Sequence, residues 1–311
     1  MKRTLVFVIL FALFLAGCGG KSEDVTAPAV VPDDAGQATE EAVTEPAEDV
    51  VAPPVVAGLP MEPQEITFQA ADGQALSGWY YPAAVNPAPL LVIMHWVGGN
   101  MTDWYEVAPW LQNRGLVNPF MPNPGTEPWW DPTWFPELPD DHSVGVFIFS
   151  FRDCLTFPQG GCPGWDPEGY LLDAQAAMLK ATELEGVDTT RIVTMGSSIG
   201  ADGAIDGCVF LNEQMPGSCQ GALSLSPGGY LGIPYADAVK SLGGNDPQVA
   251  AWCLGDEGDF DVCESATNEG NAAYQMFEIA NGGHGNFLIS PDLEPLPMDL
   301  IQDFLAETVD W

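Results

Sequence analysis

Positive charge is scarce in this sequence. Its 311 residues hold 8 Lys and Arg against 44 Asp and Glu, a formal net charge of −36. A surface of that sign repels phosphate backbones, so nucleic acid is excluded as a partner. Histidine is almost as rare: only His95, His142 and His284 occur, far apart along the chain. There is no Cys-x-x-Cys pair and no Cys/His cluster, which removes the usual zinc sites, and no acidic spacing matches an EF-hand loop. Neither a metal nor an organic cofactor is expected. Beyond the N-terminus no apolar run approaches the roughly 20 residues that a membrane-spanning helix needs.

The N-terminus carries what the rest lacks. Lys2 and Arg3 precede an apolar run from Leu5 to Leu15, and Ala16 and Gly17 then lead to Cys18. A charged start, an apolar middle and a small-residue end read as an export signal, with a short uncleaved anchor as the alternative. Leu15-Ala16-Gly17-Cys18 resembles the lipobox of bacterial lipoproteins. That resemblance implies a signal over residues 1–18 and a lipid on Cys18. It also implies a bacterial cell-envelope location, anchored to the membrane on its extracytoplasmic face. Residues 19–60 are rich in Ala, Pro, Val, Glu and Asp and contain no aromatic residue. Such a segment buries too little apolar surface to offset its ordering entropy, so it is expected to be an extended tether. Residues 61–311, about 250 in number, suffice for one domain with a large core.

Setting Cys18 aside leaves six cysteines. An even number in an exported chain suggests disulfides. They fall into three sequence-local couples, Cys154 with Cys162, Cys208 with Cys219, and Cys253 with Cys263. Those couples are the expected bridges, free buried thiols being the alternative.

Strand and helix signals alternate from residue 65 onwards. "EITFQAADGQALSGWYYPA" reads as a hairpin turning at Asp72-Gly73. "PLLVIMHW" and "SVGVFIFSF" are continuous apolar runs, as strands buried on both faces would be. "TDWYEVAPWLQNRG" predicts a helix capped by Thr102 or Asp103 and closed by Gly115. The helix predicted from "WDPEGYLLDAQAAMLKATELEG" has Asp166 as its cap and Pro167 in its first turn. Further strands are expected in "RIVTMG", "GALSLSP", "AAWCLGDEGDF" and "YQMFEIANGGHG", and a closing helix in "MDLIQDFLAETVDW". This alternation predicts an α/β fold with a doubly wound, mostly parallel sheet, whose sites lie at the carboxyl ends of its strands.

"RIVTMGSSIGADGAIDG" places Gly196 and Gly200 two residues either side of Ser198, at the end of an expected strand. G-x-S-x-G is the spacing of a nucleophile elbow, a tight strand-to-helix turn that lifts one serine out of the chain. A serine hydroxyl needs a neighbouring base. His284, in "NGGHGN", is the one histidine beyond Ser198, so the order nucleophile, acid, histidine is available. The acid should follow the strand between them, which offers Asp256, Glu257, Asp259 and Asp261. "VIMHWVGGN", "SFRDC", "MGSSIGADGA", "GDEGDFDVCESA" and "GGHGNFL" resemble the α/β-hydrolase superfamily, especially its dienelactone-hydrolase-like and bacterial esterase members. The resemblance runs from Leu90 to Trp311. It implies Asp259 as the acid, with Asp256 the alternative. It also implies an oxyanion hole made by the backbone N–H groups of Ile199 and Trp96, where the superfamily often carries glycine after the histidine.

Residues 116–142 form an unusual insertion containing Trp129, Trp130 and Trp134. A long connection within a compact domain is usually functional or disordered, and these aromatics argue for order. It is expected to be a flap that supplies apolar contacts to a substrate. Packing for stability and a platform for sugar rings are the alternatives. The expected activity is hydrolysis of a small-molecule ester by a monomer, through an acyl-enzyme. A peptidase or amidase using the same residues, or a non-catalytic binding lipoprotein, are the other readings.

Overall fold

The structure, a computed structural model, describes residues 56–120, 130–154 and 161–311. Cys18, the export signal, most of the tether and Trp129 lie outside them.

An eight-stranded sheet organises the domain. Its strands are β2 (Gln64–Gln69), β3 (Ala75–Tyr81), β5 (Ala88–Met94), β6 (Gly145–Phe149), β7 (Val187–Ser197), β8 (Cys219–Leu225), β9 (Ala250–Gly255) and β10 (Tyr274–Glu278). Their spatial order is β10-β9-β8-β7-β5-β6-β3-β2. All pairs are parallel except β2 with β3 and β3 with β6. Two short strands, β1 (Val56–Ala57) and β4 (Val85–Asn86), pair separately. The β2–β3 hairpin turns where the sequence predicts, with Gly73 at φ +90° donating its N–H to the Ala70 carbonyl.

The unbroken apolar strands are explained by two covered faces. Leu90, Val92 and Met94 of β5 pack with Tyr170, Ala174 and Met178 of α2 (Pro167–Ala181) and with Ile205 of α3 (Ile199–Gln214). Their neighbours Leu91 and Ile93 pack on the other face. There they meet Val107 and Leu111 of α1 (Val107–Gln112) and Ile301 and Phe304 of α6 (Pro297–Val309). Alternation by two along a fully buried strand therefore feeds two cores. Asp166 caps α2 as predicted, its carboxylate accepting from the Gly169 N–H.

Two expectations need correction. The helix predicted from Thr102 to Gly115 is a 3₁₀ turn at Met101–Trp104 followed by α1. Asn100, not Thr102 or Asp103, caps the turn, and Asn113 in the left-handed conformation ends α1. The sequence reading also passed over α4 (Tyr235–Gly243) and α5 (Phe260–Ser265). Both are short, and acidic and glycine-rich flanks hide their periodicity. The three bridges, Cys154–Cys162, Cys208–Cys219 and Cys253–Cys263, join the couples expected from the sequence.

Candidate active site

β7 ends at Ser197 and α3 starts at Ile199, so Ser198 alone makes the turn. Its φ of 53° and ψ of −117° fall in a region that non-glycine residues avoid, a strain that marks functional turns. Close packing explains the flanking glycines. A Cβ on Gly196 would lie 2.0 Å from the Gly200 carbonyl oxygen, and one on Gly200 would lie 2.4 Å from the Met94 carbonyl oxygen. Both distances are far inside van der Waals contact, so the elbow requires glycine at both positions. The Ser198 N–H donates to the Leu225 carbonyl at 2.9 Å, fixing the turn to β8.

The same close approach sets the Ile199–Gly200 backbone against the exit of β5. There His95 is fully buried. Its Nδ1 donates to the Trp96 carbonyl at 2.6 Å, and its Nε2 accepts from the Phe151 N–H at 3.0 Å. Those partners require the neutral ring, and burial pushes its pKa down to about 4. His95 therefore shapes the Trp96 loop and does not serve as a base. The N–H of Ile199, first residue of α3, has no partner within the helix by position.

His284 follows β10 and precedes a 3₁₀ turn at Gly285–Leu288. Its Nδ1 lies 2.6 Å from Asp259 Oδ2. Asp259 sits at the start of α5, where an aspartate commonly caps, yet its side chain makes no cap and goes to the histidine. Asp256 does different work: it accepts from the Gly283 N–H at 3.0 Å and the Gly258 N–H at 2.9 Å, bracing both loops. Gly285, at φ +62°, presses this loop onto the elbow: a Cβ there would be 3.7 Å from that of Ser198. The Gly285 N–H donates to the buried Ser226 hydroxyl at 2.9 Å.

Several contributing residues carried no signal that sequence reasoning used. Ser197 is buried and donates to Asn286 Oδ1 at 2.5 Å, and Asn286 Nδ2 donates to Asp103 Oδ2 at 3.1 Å. This bridge ties the elbow, the histidine loop and the segment after Trp96 together. Asp202, in the first turn of α3, accepts from the N–H groups of Gly228 and Tyr230. Burial outweighs those bonds and raises its pKa to about 6. The loop it holds places the Tyr230 ring 6.3 Å from that of His284, edge-on.

The insertion contributes elsewhere among the described residues. Trp130 is buried, its ring 5.2 Å from that of Trp104, within the core that α1 and α6 share. Trp134 is partly exposed on the turn Pro132–Trp134. Trp110, Leu116, Phe135 and Pro136 line a groove of about 680 Å³ whose lining includes none of Ser198, His284, Trp130 and Trp134. Among the described residues no three His, Cys, Asp or Glu side chains gather as a metal site.

No protein-family model matches the chain. Residues of this chain align with the uncharacterised protein YfhR of Salmonella typhi at 27% identity over 151 residues, 47% of this chain and 40% of that protein. The Escherichia coli K12 YfhR aligns at 26% identity over 151 residues, 47% of this chain and 42% of that protein. The match thus spans well under half of each relative. Among solved structures, the Pyrobaculum calidifontis esterase superposes with a TM-score of 0.54 at 14% identity, covering 79% of this chain and 84% of its own. The dienelactone hydrolase of Anabaena variabilis gives 0.51 at 14% identity, covering 79% and 99%. The Penicillium α/β hydrolase GrgF gives 0.53 at 13% identity, covering 80% and 100%. At such identities the likeness is one of architecture, and the architecture of this chain is the α/β-hydrolase fold.

Proposed function

We propose that this protein is a serine hydrolase that cleaves carboxylic esters, with Ser198 as nucleophile, His284 as general base and acid, and Asp259 as its orienting carboxylate. The observation that carries the reading is the 2.6 Å contact between His284 and Asp259 on a loop pressed against a strained serine elbow. A carboxylate at Nδ1 holds the proton there and leaves Nε2 as the basic atom. Nε2 takes the Ser198 proton as Oγ bonds to the ester carbonyl. The resulting oxyanion accepts from the N–H groups of Trp96 and Ile199, donors each worth about 10²–10³ in rate. Collapse breaks the bond to the alcohol, which leaves with the proton from His284. Water, deprotonated by the same imidazole, then releases the acid and restores Ser198.

The three bridges also support an oxidising compartment, consistent with export and a lipid on Cys18. The test of the chemistry is labelling with a fluorophosphonate probe. Wild type and Ser197→Ala should label and Ser198→Ala should not, because the Ser197 hydroxyl is buried and spent on Asn286. Labelling of folded Ser198→Ala at the wild-type level would overturn the assignment. Metabolic labelling with a palmitate analogue, lost in Cys18→Ala, tests the anchor.

A further inference from the structure

One aromatic ring borders His284, and a second packed on it reaches solvent. Tyr230 stands edge-on to the imidazole, and Trp165 stands edge-on to Tyr230 with ring centroids 6.2 Å apart. Trp165 is 54% exposed. On the Trp96 side, Phe287 sets its ring 5.8 Å from the indole of Trp96 and is 52% exposed. Tyr230 thus links the histidine to a tryptophan that reaches solvent.

What faces these rings is decided by charge. From residue 56 onwards the chain has five cations, Arg114, Arg152, Lys180, Arg191 and Lys240. Each is engaged by partners other than the residues of the site. Arg114 donates to the carbonyls of Leu59, Pro82 and Ala83. Lys180 pairs with Glu183, Arg191 with Asp188 and Lys240 with Glu269. Arg152, the nearest in sequence to a residue that contacts His95, is surrounded by Asp72, Asp166 and Asp173. An anionic substrate would therefore find no counter-charge. It would also approach the β9–α5 loop beside His284, which carries Asp256, Glu257, Asp259 and Asp261 on a strongly negative protein. A cationic group meets the reverse: a favourable field, and ring faces whose quadrupole attracts it, tryptophan most strongly.

We propose that the site selects esters bearing a cationic group, a quaternary ammonium foremost, seated against Trp165 and Tyr230, and discriminates against esters bearing a carboxylate, sulfonate or phosphate. This rests on the ester-hydrolase reading. Trp165 is then a specificity-determining residue, supplied by the segment that follows the Cys154–Cys162 bridge.

Three acetyl esters of matched shape test it: acetylcholine, its uncharged carbon isostere 3,3-dimethylbutyl acetate, and 2-acetoxyethanesulfonate. At low salt kcat/KM should fall in that order, by about fivefold or more at each step. Raising ionic strength to about 0.5 M should shrink the penalty on the sulfonate, because the Debye length falls to a few ångström. Part of the preference for acetylcholine should survive, since ring contact is short-ranged. Trp165→Ala should bring the ratio of acetylcholine to its isostere towards one, mainly through KM. Equal rates for all three esters, or a preference for the sulfonate, would overturn charge selection while leaving ester hydrolysis intact. No hydrolysis of even the uncharged isostere or of p-nitrophenyl acetate would instead overturn the ester-hydrolase reading, and the selection with it.

Discussion

Asp259→Asn and Asp256→Asn change two carboxylates three residues apart, and the structure expects very different outcomes. On the proposed mechanism His284 becomes an imidazolium beside Asp259, at 2.6 Å, when it takes the serine proton. Two unit charges with centres about 4 Å apart attract by about 4 kcal/mol at an effective dielectric near 20. Neither group is dry: their side chains are 37% and 24% exposed, so solvent removes part of this. A net loss of roughly 3 kcal/mol corresponds to about 10²-fold in rate. The amide can add to it by donating to Nδ1, which favours the wrong tautomer. In serine proteases, where the carboxylate is buried, that combined change costs about 10⁴. Asp259→Asn should therefore lower kcat for p-nitrophenyl acetate by about 10²–10³ with KM little changed. Asp256→Asn keeps an amide oxygen able to accept from Gly283 or Gly258, and forfeits one charge-assisted hydrogen bond of about 1–2 kcal/mol. Its kcat should fall less than tenfold, with loss of stability taking up part of the effect. Equal losses, or a greater loss from Asp256→Asn with the fold intact by circular dichroism, would refute the assignment of roles.

Asp206, buried on α3 one turn from Asp202, has a pKa pushed up to about 8 from its ordinary 3.8 by burial first and Asp202 second. A folded pKa above the unfolded one gives stability that is present below about pH 4 and lost as pH climbs towards 8, so Asp206→Asn should raise Tm by ~4 °C or more at pH 8 and change it little at pH 4. An equal shift at both pH values would show that ionisation of Asp206 is not the cause. The Cys208–Cys219 bridge closes a separation of 11 residues, so replacing both by Ala should cost about 3 kcal/mol in chemical unfolding. Alkylation without reductant should modify none of the six bridged cysteines, and two or more modified thiols would contradict the pairing. Trp130→Ala should destabilise by about 3–5 kcal/mol because its ring packs on Trp104, while Trp134→Ala should leave Tm nearly unchanged. A changed preference among ester chain lengths in Trp134→Ala at unchanged Tm would assign that residue to the substrate.

Legibility in the sequence followed the range of the interaction. Gly196 and Gly200 were readable because the elbow's clash is local and only glycine relieves it. The cysteine couples were readable because separations of 8 to 11 residues left each an obvious partner. The sheet was readable because β5 and β6 are apolar throughout. Which aspartate meets His284 was not settled by spacing, since Asp256 and Asp259 share one tight turn and the backbone there decides it. Nor was the bridge from Asp103 to Asn286, whose ends stand 183 residues apart. The composition of the insertion could not say that the Trp130 ring turns inward.

Histidine scarcity gives an independent argument for the proposed base. A general base needs a ring nitrogen that is unengaged and open to the reacting group. His95 fails because its two nitrogens are committed to Trp96 and Phe151 and burial keeps it neutral. His142 lies outside the site, its ring 5.1 Å from that of Trp311 at the far end of α6. His284 alone has one nitrogen on a carboxylate and a loop that touches the serine elbow. The order of residues along the chain and the exclusion of each other ring in space use no common observation. If Ser198 is the proposed nucleophile, the three histidines of the chain leave His284 to serve it.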